Sequence, residues 1–121
     1  MSVFNDLAGS DFDPLLLDGI ILFIEDTGEG MSKVDRMLHN IEVRCLQRHI
    51  RAIIVGQFNK YKHPECGFDD MYSMLNEYLQ HWNIPVCYDF PVGHAHLKNF
   101  PLLVGKNATL EVSQDCVVLH Y

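Results

Sequence analysis

Basic residues are scarce in this chain of 121 residues: nine Lys and Arg stand against sixteen Asp and Glu, a net charge of −7 with neutral histidines. No segment gathers the nine into a stripe, so nothing offers a polyanion its counter-charge, and roles on nucleic acid or an anionic membrane surface are set aside. Long apolar runs are missing too. Leu15–Leu17 and Ile20–Ile24 fall far short of the ~20 residues that cross a bilayer. The opening Met1-Ser-Val-Phe-Asn-Asp6 has no basic region followed by an apolar one, and no targeting peptide is read there. The four cysteines, at 45, 66, 87 and 116, include no Cys-x-x-Cys pair, which fits reduced thiols and sets the expectation of a cytoplasmic protein. What is present is the composition of a folded chain, 48% hydrophobic and 21% charged. That length and balance suit one globular domain, with no repeat and no linker to divide it.

The apolar periodicity alternates between two periods. Ser2 is placed as the N-cap of a short helix through Leu7, closed by Gly9. Ile20–Ile24 reads as a strand buried on both faces, leaving through Glu25-Asp26-Thr27-Gly28. Ser32 is placed as the cap of a helix to about Gln47, with Val34, Met37, Leu38, Ile41 and Cys45 along one stripe. Ile50–Val55, ended by Gly56, is the second strand, and the polar segment Asn59–Gly67 is a loop. A second long helix is expected from about Asp69 to Trp82, and a third strand over Val86–Phe90. Residues 20–90 thus spell strand, helix, strand, helix, strand, the pattern of a parallel sheet with crossovers. After that, Leu102–Val104, Thr109–Val112 and Cys116–Leu119 lie too close together for helices between them and read as an antiparallel meander. The fold class expected is α/β, a parallel core followed by a meander.

In open parallel sheets functional groups collect at the C-terminal ends of the strands. Two exits are rich in such groups: Glu25-Asp-Thr-Gly-Glu29 after the first strand, and Pro91-Val-Gly-His-Ala-His96 after the third. Neighbouring strands lie about 4.8 Å apart, so a carboxylate at one exit can reach an imidazole at another. A carboxylate that orients a histidine is the base half of a nucleophilic triad. The nucleophile is harder to find. Ser2, Ser32, Ser73 and Ser113 sit at caps, a helix surface and a turn, and Ser10, in Ala8-Gly-Ser-Asp11, precedes the first strand and lacks the strained strand-to-helix elbow such a serine needs. Metal ligands are numerous, with seven histidines and four cysteines, yet His94-Ala-His96 and His63-Pro-Glu-Cys66 have no second pair at zinc spacing, and no metal is expected. Gly28-Glu-Gly30 lacks the spacing of a dinucleotide fingerprint and the lysine of a phosphate loop, so no cofactor is expected either.

Several segments, in order, resemble a known family: Phe23-Ile-Glu-Asp-Thr-Gly-Glu29, Val34-Asp-Arg-Met-Leu38, Ile53-Ile-Val-Gly-Gln-Phe58, Ile84-Pro-Val86 and Phe90-Pro-Val-Gly-His94. From about Ser2 to Val112 the chain is similar to the C-terminal half of the LD-carboxypeptidases. These serine peptidases are also called muramoyltetrapeptide carboxypeptidases, and they include the microcin C self-immunity proteins. The resemblance implies a three-layer β/β/α domain of the swivelling type. It puts the family's triad carboxylate on Glu25 and its triad histidine on His94. The nucleophilic serine of the family belongs to a Gly-x-Ser-Asp segment in a separate N-terminal domain, so Ala8-Gly-Ser-Asp11 is a decoy. The chain departs from the family at Asn99-Phe-Pro-Leu-Leu-Val-Gly105, where many relatives have a shorter Pro-Leu-Gly, and this bears on substrate preference.

The implied function is hydrolysis of an amide between an L-configured centre and a terminal D-amino acid, as in murein tetrapeptides recycled in the cytoplasm. The implied partners are the N-terminal nucleophile domain of the same protein, a murein peptide as substrate, and a second copy in a homodimer. The 121-residue chain alone is expected to fold and to hydrolyse nothing, because an acyl intermediate requires the missing hydroxyl. A rival reading treats the chain as a non-catalytic swivelling module that binds a protein or small ligand, with Glu25 and His94 as a structural pair.

Overall fold

Ile20–Thr27 (β1), Ile50–Asn59 (β2) and Val86–Cys87 (β3) form one parallel sheet in the order β1-β2-β3 in the computed structural model, which describes residues 1–62, 67–94, 99–113 and 115–121. Successive strand side chains face opposite sides. Leu22, Ile24, Ile53, Val55 and Phe58 join the core on one side of the sheet. Two helices close that side: Met31–Val43 (α2) buries Met31, Val34, Met37, Leu38 and Ile41, and Met71–Gln80 (α3) buries Met71, Met74, Leu75 and Leu79. Their three- and four-residue spacing makes one apolar stripe per helix, so each covers the sheet with a single face. This is the α/β alternation expected from the periodicity, with a separate antiparallel pair, Thr109–Val112 (β4) and Val117–His120 (β5), after it.

The two long strands outrun their expected ends. Gly56 does not stop β2, because pairing resumes at Asp26↔Phe58 and Thr27↔Asn59 after a register shift opposite Glu25. Glu25 therefore lies within β1. At the helices the caps differ from expectation. The N-cap of α2 is Gly30, with no side-chain cap, and Ser32 lies inside the helix. The helix ends at Val43 because Cys45 takes a left-handed φ of 54°, which turns the chain into a short 3-10 segment, Leu46–His49. In the first helix, Ser2–Asp6 (α1), the N-cap is Met1, and the Ser2 hydroxyl instead donates to Glu29 Oε1 at 2.7 Å. The second long helix, α3, starts at Met71 where about Asp69 is expected, and Asp70 caps it through a reciprocal pair of bonds with Ser73.

The third strand is only two residues long, since Asp89, at a φ of 53°, bends the backbone before Phe90. Leu102–Val104 joins neither sheet, which reduces the meander to the hairpin β4–β5 among the described residues. Asp13, only 4% exposed, ties the N-terminal arm to the end of α2. It accepts from the Gly9 and Leu15 amides at 2.8 and 3.0 Å and pairs with the Arg44 guanidinium. Burial alone would raise its pKa, but those two amides and Arg44 together hold it below the ordinary carboxylate value.

Candidate active site

Glu25 and His94 are 69 residues apart in sequence and meet in space: His94 Nδ1 stands 2.9 Å from Glu25 Oε2. β1 delivers the carboxylate near its C-terminal end, and the imidazole arrives on the segment after β3, as in sheets whose sites form beyond the strand ends. That segment is anchored to the sheet. The Phe90 amide donates to the Val55 carbonyl at 3.0 Å, and the Gly93 amide donates to Asn99 Oδ1 at 3.1 Å. Glycines make the close approach feasible. A Cβ on Gly56 would stand 2.5 Å from the Val92 carbonyl oxygen and 2.9 Å from the Phe23 ring, so a larger residue there would push the histidine's segment off the strand.

The two side chains differ in their exposure to water. Glu25 is 22% exposed and His94 65%. With the carboxylate ionised, Nδ1 carries the proton that makes the bond, and this leaves the lone pair of the neutral ring on Nε2. The N-terminal arm also reaches this strand end: the Met1 backbone nitrogen lies 2.8 Å from the Glu25 carbonyl oxygen and 3.0 Å from the Asp26 carboxylate. The pair faces an open rim. A cavity of about 330 Å³ between α1 and α2 is lined by Ser2, Asn5, Asp6, Lys33, Arg36 and Asn40, and neither Glu25 nor His94 is on its wall.

The arrangement supplies a proton acceptor and its orienting carboxylate, and a hydroxyl would complete it. Several of the chain's own serines are engaged elsewhere. Ser10 Oγ donates to the Leu7 carbonyl and accepts from the Phe12 amide, the bonding of a turn residue. Ser73 serves the α3 cap, and Ser113 bonds the Cys116 carbonyl. Cys87 is buried, and its thiol is pushed up by that burial and by Asp89, which keeps it protonated and unreactive. Among the described residues no three His, Cys, Asp or Glu side chains converge as metal ligands would. His63, Cys66 and His96 lie outside the described residues.

One residue beside the pair is not singled out by the sequence. Gln57, buried beside Gly93, is a lone amide in the otherwise apolar run Ile50–Phe58, broken elsewhere only by Arg51 and Gly56. That polarity inside a central strand was the available signal.

Residues 1–110 match the family described as the LD-carboxypeptidase C-terminal domain. The chain belongs to that family. Among curated relatives, the microcin C7 self-immunity protein MccF of Escherichia coli is 28% identical over 98 residues, covering 79% of this chain and 28% of MccF. The solved structure of MccF in complex with glutamyl sulfamoyl guanosine superposes with a TM-score of 0.63 at 26% identity, over 75% of this chain and 27% of that one. A muramoyltetrapeptide carboxypeptidase from Oxalobacter formigenes reaches a TM-score of 0.81 at 26% identity, covering 98% of this chain and 40% of its own. The LD-carboxypeptidase domain described above thus spans less than half the length of these relatives. No helix among its described residues is long and apolar enough to cross a membrane.

Proposed function

We propose that this chain is the C-terminal domain of a serine-type LD-carboxypeptidase, to which it contributes the Glu and His of a Ser-Glu-His triad. The observation that carries the reading is the 2.9 Å contact between Glu25 and His94, made by two segments distant in sequence. The serine comes from an N-terminal domain of the same protein. His94 Nε2 takes the proton of that hydroxyl as it attacks the scissile carbonyl. Glu25 holds the ring in the required tautomer and stabilises the imidazolium that forms. The imidazolium then protonates the leaving amine, and water hydrolyses the acyl-enzyme by the same relay in reverse. The substrate class is a peptide, or a related peptide conjugate, whose terminal D-amino acid is joined through an L,D amide. Murein tetrapeptides in the cytoplasm are the members of that class expected here.

The test is release of the terminal D-amino acid by the complete protein. His94→Ala is expected to lower kcat by about 10³- to 10⁴-fold with little change in KM. Near-wild-type turnover would remove His94 from the triad and favour the rival reading, in which the two residues are a structural pair.

A further inference from the structure

β1 and β2 stay in register through Ile24↔Val55 and resume at Asp26↔Phe58, so the single residue Glu25 faces two residues, Gly56 and Gln57. A bulge of this kind bends its strand and re-aims a side chain, and here it falls opposite the carboxylate that holds the imidazole. The inserted position carries an amide into the interior. Gln57 is 4% exposed, and neither its Oε1 nor its Nε2 has a hydrogen-bond partner. Burying a donor and an acceptor without partners costs the desolvation of both, and a methionine of similar shape would avoid that penalty. Stability does not explain the amide.

Its surroundings do. A Cβ on Gly93 would stand 3.3 Å from both the Cβ and the backbone nitrogen of Gln57, and 3.5 Å from its Oε1. Gly93, at a φ of 145°, leads directly into His94. Gly56, the other residue of the bulge, lies against the carbonyl of Val92. The bulge therefore supports the two residues that precede the imidazole on the segment after β3, and lies opposite the β1 residue that binds the imidazole.

We propose that Gln57 is a positioning residue that acts on His94 through Gly93. The Val92 and Gly93 N–H groups already donate to the Phe90 carbonyl and to Asn99 Oδ1, so what the Gln57 amide offers the turn is an N–H donor for its carbonyls, as the turn adjusts while the imidazole gains and returns its proton. This rests on the reading of Glu25 and His94 as a catalytic pair, and it makes the polarity of residue 57, rather than its bulk, the quantity that matters.

The experiment replaces Gln57→Met in the complete protein and measures thermal stability, kcat and KM on an L,D-peptide, and the ring ¹⁵N resonances of His94 through a pH titration. The expected result is a Tm equal to or above that of the wild type, unchanged KM, a kcat about ten- to a hundredfold lower, and shifted His94 resonances. Unchanged kcat and resonances would overturn the proposal. So would a rise in KM alone, which would make Gln57 a substrate contact, or a kcat loss that tracks a fall in Tm. Where the Met variant does not fold, Gln57→Asn, whose amide is one methylene short, is expected to keep KM and shift the same resonances; unmoved resonances overturn the proposal. The two failures separate cleanly: an active His94→Ala variant defeats the catalytic reading, whereas the ring resonances report the positioning contact without any turnover.

Discussion

Glu25 gives one carboxylate oxygen to the ring nitrogen of His94, so an isosteric change tests charge without disturbing packing. Glu25→Gln retains the shape but offers an amide that can bind the wrong tautomer. In the complete protein kcat is expected to fall by about 10³- to 10⁴-fold while the folded structure persists, as circular dichroism would show. Gly56 tests geometry instead of charge. Its alanine Cβ would be forced to 2.5 Å from a backbone oxygen, that of Val92, which cannot swing away like a side chain. Gly56→Ala is expected to cost about 1–3 kcal/mol in denaturant unfolding and to weaken the Glu25–His94 bond by displacing the segment that carries His94. Unaltered stability would show that residues 90–94 move freely relative to β2. Both candidate site residues were legible in the sequence because they are polar groups at the ends of apolar runs. Gln57 was not, because its meaning depends on a bulge, and a bulge is a relation between two strands.

The connection between the N-terminal arm and α2 is held by one buried carboxylate. Asp13 is held below the ordinary carboxylate value because the amides of Gly9 and Leu15 and the guanidinium of Arg44 outweigh the effect of burial. A folded pKa below the unfolded one stabilises the folded chain above the unfolded value, about 3.9 for Asp. That stabilisation is lost as pH falls through the folded value. Unfolding free energy is therefore expected to decline on acidification below about pH 4, and the decline should be shallower in Asp13→Asn. At pH 7 the same variant is expected to lose about 1–3 kcal/mol, measured by urea unfolding. Helix caps illustrate where periodicity stops being informative. The sequence shows the apolar stripe of α2 from Val34 to Ile41, yet it also puts Cys45 on that stripe and Ser32 at the cap; Cys45 is exposed beyond the helix and the cap is Gly30, which offers no side chain, because the backbone path and not the nearest hydroxyl decides where a helix begins and ends.

At the scale of the molecule, the sheet presents its candidate pair at an open rim, with His94 65% exposed. Under the proposed function this rim receives the serine of another domain, and the 121-residue chain by itself is expected to fold cooperatively yet release no D-amino acid from an L,D-peptide. Measurable release that disappears with His94→Ala would place a nucleophile inside the chain and overturn that expectation. The N-terminal arm also leaves Val3, Phe12, Leu16 and Leu17 exposed, by 77%, 80%, 59% and 64%. Apolar surface of this kind favours association, and sedimentation of the chain alone is expected to show concentration-dependent self-association. A strict monomer at high concentration would count against it.

The sequence by itself determined the order of strands and helices in the parallel core, most of the apolar positions that build it, and the two polar exits where chemistry could occur, because hydrophobic spacing acts locally and every residue carries it. Only the tertiary structure decided that Glu25 and His94 touch, that β2 continues beyond Gly56, and that an unpaired amide lies beneath the turn before the histidine. Each of these is a relation between segments distant along the chain, set by strand register and by the fit of glycines against neighbouring backbone, and no local pattern encodes it.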